Sequence, residues 1–404
     1  MMFRRSPVAL AGPAFIASVA YVDPGNVATN SVAGATSGYA LAWVVVGAGL
    51  MAMPVQYVAA KVGIASGRSV PRAAKETMSR PTRILMWLQA EIVAMATDVA
   101  EFLGAAVGLQ LLFGLGLPAS GLITAVISFA VLALQRRGHR PFEIGIIAFL
   151  AFVVAGVAFQ LAAVGIDPGG LAAGLVPGLA DPGQLVLAVG IVGATVMPHA
   201  IYAHSALTAG RVRGVGRSGR ARLLGFQRTE VVAALSIASL VNLAMLLVAA
   251  GVFGGTPAAP GVDGLEAAHA GLGQLAGGAV ALAFAVTLLA SGLSSAAVGT
   301  YSGQVVMEGF VDVRLPLPVR RLVTMLPALV LLAVGVSPTA ALVGSQVVLC
   351  FGIPFALYAL LRVARDRRLL GEEAIGVPMQ AVLGLISAVV VTLDVVLVVD
   401  TFTG

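Results

Sequence analysis

Two short segments combine side chains that bind cations with residues that break helices. Residues 20–26 read AYVDPGN, and residues 193–199 read GATVMPH. Proline removes a backbone hydrogen-bond donor and glycine tolerates unusual angles, so both segments are expected to unwind. In the first, Asp23 and Asn26 would then lie beside exposed backbone carbonyls such as that of Ala20. The alternative is a proline kink in which Asp23 and Asn26 only cap a helix.

The types of these candidate ligands indicate which ion they would bind. A carboxylate, an amide oxygen and carbonyl oxygens are hard donors, whereas the thioether of Met197 is soft. Mg²⁺ and Ca²⁺ prefer oxygen alone, and Zn²⁺ favours Cys and His. The set therefore favours a divalent transition metal such as Mn²⁺ or Fe²⁺. Met197 could instead be core filler, which is the usual role of methionine.

A second group of polar residues suits proton transfer. Glu91, Asp98 and Glu101 share one arc of a predicted helix, with Glu91 and Asp98 about 20° apart in projection and Glu101 about 60° further round. Clustered carboxyls exchange protons as a coupled unit, and Arg320 and Arg321 are candidate partners. A static network of buried ion pairs is the alternative. His199 and His204 could join the route or be packing residues.

The composition requires that these residues be positioned by membrane helices. Of the 404 residues, 59% are hydrophobic and only 10% charged, and the mean hydropathy is +1.00. These values exclude a soluble enzyme, a nucleic-acid binder and a disordered chain. The continuous apolar runs predict an all-α integral membrane protein with eleven transmembrane helices. The predicted spans are about 8–36, 39–62, 84–113, 118–135, 142–165, 183–210, 229–253, 270–307, 319–335, 338–361 and 377–400.

The basic residues predict the orientation of these spans. All 24 Lys and Arg residues fall before span 1 or in the loops that follow spans 2, 4, 6, 8 and 10. Since cytoplasmic loops carry the excess of positive charge, this side is expected to be cytoplasmic. The N-terminus would then lie inside and the C-terminus outside. The basic clusters are interpreted as topology signals rather than as an RNA or lipid site.

The two broken helices occupy corresponding positions in the chain. Spans 1 and 6 are each the first of five, and such pairs indicate an inverted repeat with a binding site between its halves. The prediction is a single transmembrane domain over 1–404, with repeats at about 8–165 and 183–361. An extra helix would follow at about 377–400.

Four further polar residues lie within or beside spans. Gln346 could reach the site as another oxygen ligand, and Asn242 is expected to make a helix–helix contact. Glu230 is expected in the first turn of span 7, where a carboxylate suits the helix dipole. Asp394 in span 11 has no evident partner.

On these motifs the chain resembles the Nramp family of bacterial proton-coupled manganese transporters. Further segments are similar to that family, namely 95–102 (MATDVAEF), 135–138 (QRRG), 292–295 (GLSS) and 303–307 (GQVVM). The resemblance covers spans 1 to 10. It implies a LeuT-like fold with two inverted five-helix repeats and import of Mn²⁺ or Fe²⁺ with protons across a bacterial cytoplasmic membrane.

The resemblance also implies roles for individual residues. Its implied metal ligands are Asp23, Asn26, Met197 and the carbonyls of Ala20 or Ala194, with Gln346 joining in some states. Its implied proton path contains Asp98, Glu101, His199, Arg320 and Arg321, to which the residue pattern adds Asp23, Glu91 and His204. No cofactor is expected beyond the transported ions, and no nucleic acid or obligatory protein partner.

Three rival functions remain open. A magnesium transporter on the same scaffold is disfavoured by Met197, since relatives with that role lack the methionine. A sodium-coupled amino-acid symporter of the same broad fold is disfavoured by Asp23, which would repel a substrate carboxylate. A regulated channel is disfavoured by the paired breaks, which favour alternating access.

Overall fold

The computed structural model describes residues 12–135, 139–180, 182–212, 216–254 and 264–403, and this part of the chain is helical. The first half forms α1 (Pro13–Ala20), α2 (Pro24–Ser37), α3 (Ala42–Ser66), α4 (Val70–Thr77), α5 (Arg80–Phe113), α6 (Leu117–Gln135), α7 (His139–Val164) and α8 (Pro168–Gly174). The second half forms α9 (Pro182–Thr195), α10 (Pro198–Ala209), α11 (Arg217–Phe253), α12 (Leu265–Leu275), α13 (Gly278–Phe310), α14 (Leu317–Val334), α15 (Pro338–Ala364), α16 (Arg367–Leu370) and α17 (Val377–Thr403). A 3-10 turn at Gly371–Glu373 separates the last two helices.

The start and stop residues of these helices follow from local chemistry. Many helices, including α2, α5, α10 and α15, begin with proline in the first turn, where its missing N–H costs nothing. Glycine ends α3 at Gly67 and α5 at Gly114, with φ of 69° and 66° that other residues rarely adopt. Helix ends are thus largely fixed by Pro and Gly.

Seven segments in the described part of the chain are long and apolar enough to cross a membrane, namely α3, α5, α11, α13, α15, α17 and the broken pair α9–α10, and the bent pair α7–α8 could supply an eighth. Large apolar side chains such as Leu385 (66% exposed) lie on the outer surface of the bundle. An all-helical multi-span membrane protein is therefore confirmed. The predicted count of eleven spans is not confirmed. Some residues used in the sequence analysis lie outside the described part of the chain, namely 8–11, Arg4, Arg5 and the arginines of the 135–138 motif.

Two predicted boundaries were wrong. Helix α11 begins at Arg217, twelve residues before the predicted start at 229, because arginine and leucine are good helix formers and extend the helix beyond its apolar part. The predicted span at 270–307 contains the end of α12 and most of α13. These helices are separated at Gly277, whose φ of 99° is incompatible with a continuous helix.

Helices α5 and α13 pack along each other, and α9 and α10 lie between α3 and α15. Close packing of α9 on α15 depends on Gly193. A Cβ atom there would overlap the backbone oxygen of Gln346 and lie 2.8 Å from the amide nitrogen of Cys350. Gly193 therefore fixes the position of Gln346 relative to the second helix break.

We expect Gly193→Ala to lower the stability of the protein by about 1–3 kcal/mol, the usual cost of overpacking. The matched control is Gly344→Ala on α15, where a Cβ would have no heavy atom within 4 Å. Thermal unfolding of both variants in detergent measures the difference. Equal melting temperatures would show that α9 and α15 can move apart at no cost.

Candidate metal-transport site

The first helix break lies between α1 and α2, where the sequence predicted it. Helix α1 ends at Ala20, and Asp23 caps the start of α2. The Oδ1 atom of Asp23 accepts hydrogen bonds from the backbone nitrogen of Asn26 at 2.8 Å and from its Nδ2 at 2.9 Å. The capping role that was considered as an alternative is therefore real, but it uses only one of the two carboxylate oxygens.

The second break lies between α9 and α10, and it meets the first. Helix α9 ends at Thr195, and Met197 is the residue before α10. The Nδ2 atom of Asn26 donates to the carbonyl oxygen of Ala194 at 2.8 Å, across 168 residues of sequence. Met197 is fully buried. The two breaks therefore meet in the interior of the bundle.

Three of the candidate ligand side chains each carry a buried oxygen that has no hydrogen-bond partner among the described residues. These oxygens are Oδ2 of Asp23, Oδ1 of Asn26 and Oε1 of Gln346. Gln346 lies against Gly25, where an added Cβ would overlap its side chain. A buried polar atom without a partner costs about 1–3 kcal/mol, so three together point to a ligand that satisfies them.

The described residues contain no group of three or more His, Cys, Asp or Glu side chains that could hold a metal. The structure thus brings together Asp23, Asn26, Gln346 and the two breaks, a donor set built mainly from neutral oxygens. The Ala194 carbonyl, an implied ligand, instead accepts the hydrogen bond from Asn26.

The unwound backbone of the first break is held by residues that the sequence analysis did not assign to it. Asn242 donates through Nδ2 to the carbonyl of Tyr21 at 2.8 Å, and Ser291 donates through Oγ to that of Val22 at 2.6 Å. The expected helix–helix contact of Asn242 is therefore a contact with a broken helix. An Asn in an apolar span was a visible signal, whereas nothing distinguished Ser291 from other serines.

The acids of α5 lie close to the first break. Gly104, one turn beyond Glu101, packs directly on Pro24, the residue after Asp23. A Cβ at Gly299 of α13 would lie 2.8 Å from both carboxylate oxygens of Glu101. Glu101 is almost fully buried, and its Oε2 has no hydrogen-bond partner among the described residues.

Both predicted arginine partners contact the acids of α5. Arg321 binds Asp98 through Nη1 at 2.5 Å and lies 3.9 Å from Glu101 Oε2. Arg320 binds Glu91 at 3.1 Å, and Glu91 also accepts a hydrogen bond from Nε1 of Trp87 at 3.2 Å. The two groups follow one another along α5, from Glu101 near the first break to Glu91 nearer the start of the helix.

The two histidines have different surroundings. Nδ1 of His199 lies 3.1 Å from the hydroxyl of Thr97, one residue before Asp98, so His199 adjoins the acids of α5. His204 instead lies 2.9 Å from Gln56 Oε1 and 3.3 Å from Gln227 Nε2 through its two ring nitrogens. Gln56 also donates to the hydroxyl of Tyr21 at 2.7 Å. His204 therefore belongs to a separate polar chain that leads to the first break.

Two other acids have partners that the sequence did not reveal. Glu230 does not lie in the first turn of its helix, because α11 begins at Arg217. Its Oε1 accepts hydrogen bonds from the backbone nitrogens of Gly12 at 2.6 Å and Ala14 at 3.3 Å, so it caps the start of α1. The buried Asp394 of α17 contacts the thiol of Cys350 on α15.

The fold defines a multi-span membrane transporter of the LeuT-like class. Mhp1, a nucleobase-cation-symport-1 family transporter solved in a closed conformation, matches 92% of this chain and 81% of its own at a TM-score of 0.62 and 16% identity. A manganese transporter of Eremococcus coleocola, solved with an aromatic bis-isothiourea substituted compound, matches 99% of this chain and 87% of its own. Its TM-score is 0.83 at 30% identity.

Comparison of sequences identifies the family. The family model described as natural resistance-associated macrophage protein-like (Nramp) matches residues 14–400. The divalent metal cation transporter MntH of Deinococcus radiodurans is 49% identical over 89% of this chain and 82% of its own length. MntH of Bacillus subtilis is 45% identical over 97% and 92%. The chain belongs to the Nramp family, as its motifs predicted.

Proposed function

We propose that this protein imports divalent transition metal ions, Mn²⁺ and Fe²⁺, together with protons by alternating access across the bacterial cytoplasmic membrane. The observation that carries the proposal is the set of three unpartnered buried oxygens, of Asp23, Asn26 and Gln346, where two broken helices meet. The names of the relatives, divalent metal cation transporter and manganese transporter, support the same class of substrate.

The proposed metal ligands are Asp23, Asn26 and Met197, with the carbonyl of Ala20 and the amide of Gln346. In this structure the Ala194 carbonyl is bonded to Asn26, so Ala194 would become a ligand only after the amide of Asn26 turns away. Asp23 supplies the single negative charge next to the ion. The chemistry is ion binding and release, with no bond made or broken in a substrate.

Uptake of ⁵⁴Mn²⁺ into proteoliposomes of the purified protein tests the function. An inward proton gradient is expected to accelerate uptake, and Mn²⁺ is expected to acidify the lumen. Uptake of Mg²⁺ without uptake of Mn²⁺ would favour the magnesium transporter. Metal flux without proton movement would favour the channel.

The proposed topology has eleven spans in one domain, with the breaks α1–α2 and α9–α10 counted as spans 1 and 6. Two inverted five-helix repeats would then end at α7 and α15, leaving α17 as the additional helix. The N-terminus is placed in the cytoplasm and the C-terminus outside, because the basic loops all lie on one side in this count.

Labelling with a membrane-impermeant maleimide checks this topology. In a Cys350→Ala background, Thr403→Cys is expected to react in intact cells, since the C-terminus is placed outside. Ser218→Cys is expected to react only after lysis; both positions are exposed. Labelling of Ser218→Cys in intact cells would contradict the proposed count of spans.

Met197→Ala is expected to reduce discrimination more than transport. Without the thioether the site is completed by oxygen or water, which suits Ca²⁺ and Mg²⁺ better. Mn²⁺ uptake should persist while competition by Ca²⁺ improves on the order of tenfold, equivalent to about 1.4 kcal/mol. Met325→Ala, which removes another buried methionine from α14, should leave competition unchanged. The same selectivity in both variants would make Met197 core filler.

A further inference from the structure

An open cavity of about 600 Å³ lies where the end of α15 meets α16 and the start of α17. Its lining is strongly basic. The lining residues are Arg362, Arg365, Asp366, Arg367, Arg368 and Gln380. Four arginines and one aspartate therefore line the cavity, and this excess of positive charge favours an anionic ligand.

Three of these arginines have no ion-pair partner in the part of the chain that the structure describes. Among the described residues, no carboxylate lies within 4.0 Å of a guanidinium nitrogen of Arg365, Arg367 or Arg368. Asp366 caps α16 by accepting a hydrogen bond from the backbone nitrogen of Arg368 at 2.8 Å. By contrast, the nearby Lys61 is paired with Glu373 at 3.3 Å.

An exposed apolar stripe on α15 leads directly to this cavity. Phe351, Phe355 and Tyr358 are 37%, 37% and 49% exposed and lie on one face of the helix at helical spacing. The same face continues to Arg362 and Arg365. On α17, Gly384 follows Gln380 by one turn and leaves open space beside it. A ligand bound to the arginines could therefore extend an apolar portion along α15.

The sequence alone favoured a topology signal for this basic cluster, but from the cavity that its arginines line we propose a lipid site. The cavity binds the head group of an anionic phospholipid, with the phosphate held by Arg365, Arg367 and Arg368 and the acyl chains along the apolar stripe. Guanidinium groups present paired N–H donors that match phosphate oxygens. Basic pockets between membrane helices bind anionic head groups in this way. Free inorganic phosphate is also an anion, but it has no apolar portion that could contact the apolar stripe. In the orientation proposed above, the site faces the inner leaflet.

Native mass spectrometry of the detergent-purified protein tests the proposal. Equal concentrations of dioleoylphosphatidylglycerol and dioleoylphosphatidylcholine are added, and the wild type is expected to retain the phosphatidylglycerol preferentially. Each arginine near an anionic head group contributes about fivefold in affinity. The triple variant Arg365→Gln, Arg367→Gln, Arg368→Gln should therefore lose on the order of a hundredfold, and with it the preference.

The matched control is Arg80→Gln, Arg222→Gln, Arg228→Gln, which removes the same charge from exposed positions outside the cavity. This control variant should still retain phosphatidylglycerol preferentially. An equal loss of that preference in both triple variants would overturn the proposal. Displacement of phosphatidylglycerol by inorganic phosphate at equal concentration would also overturn it, in favour of a free-phosphate site. If the triple variant does not fold, Arg365→Gln alone should weaken retention about fivefold, and unchanged retention would reject the site.

Discussion

Asp23→Ala is expected to abolish Mn²⁺ uptake. The carboxylate is the one negative group among the proposed ligands, and it lies in an interior where little water can compensate the charge of a divalent ion. Removing one partner of a buried ion pair costs about 3–5 kcal/mol, which corresponds to a loss of at least about 100-fold. Initial rates of ⁵⁴Mn²⁺ uptake in proteoliposomes measure the effect.

Asn26→Ala should weaken uptake less, since it removes a neutral oxygen. Asp394→Asn is the matched control, because it also removes a buried carboxylate, but from α17, where it contacts Cys350 rather than the helix breaks. It should leave uptake near the wild-type rate. Wild-type uptake by a folded Asp23→Ala protein would exclude Asp23 from the metal site.

Glu101→Gln is expected to separate proton movement from metal movement. A metal bound to Asp23 displaces its proton, which then needs an acceptor that is not itself a ligand. Glu101 is buried beside Pro24 and has a carboxylate oxygen without a partner among the described residues. We expect the ratio of proton to Mn²⁺ flux to fall on the order of tenfold, a conservative value for loss of a positioned proton-transfer group.

Mn²⁺ binding by isothermal calorimetry should persist in the same variant, and paired fluorescent indicators of lumenal Mn²⁺ and pH should report the changed ratio. Asp98→Asn should act in the same direction. The Asp98→Asn variant also loses the ion pair of Arg321 with Asp98 at 2.5 Å. The thermal stability of this variant must therefore be measured together with its proton and Mn²⁺ flux. An unchanged ratio and pH dependence in both variants would assign the α5 acids to structure, with His199 as the next candidate acceptor.

Much of the architecture could be predicted from the sequence because a membrane imposes strong rules on composition. Apolar runs marked the helices, and Pro24 and Pro198 marked the two breaks to within a few residues. Hydropathy failed where a helix continues beyond the apolar layer, as at Arg217 to Arg228, and where a glycine divides an apolar run, as at Gly277. The helix propensity of arginine and leucine explains the first case and the positive φ of Gly277 the second, and hydropathy measures neither.

The residues that lie at the two helix breaks were predictable from the sequence, but the residues that hold these breaks in place were less so. Asp23, Asn26 and Met197 were evident because polar or soft side chains beside a proline are unusual in a span. The partners of Glu91 and Asp98 were evident as an arginine pair. Two of the supporting contacts join residues more than 200 positions apart, namely Ser291 with Val22 and Glu230 with the start of α1. No local sequence pattern predicts such contacts.

The hydrogen bond between Trp87 and Glu91 offers an optical test of whether a proton reaches the acids of α5. The chain has two tryptophans, and the other, Trp43, donates to the carbonyl of Gly178 instead. In a Trp43→Phe protein the remaining indole would sit 3.2 Å from the carboxylate that binds Arg320. Its fluorescence would respond to the charge of that carboxylate, so stopped-flow emission can show, without an attached dye, whether Glu91 gains a proton during a single turnover.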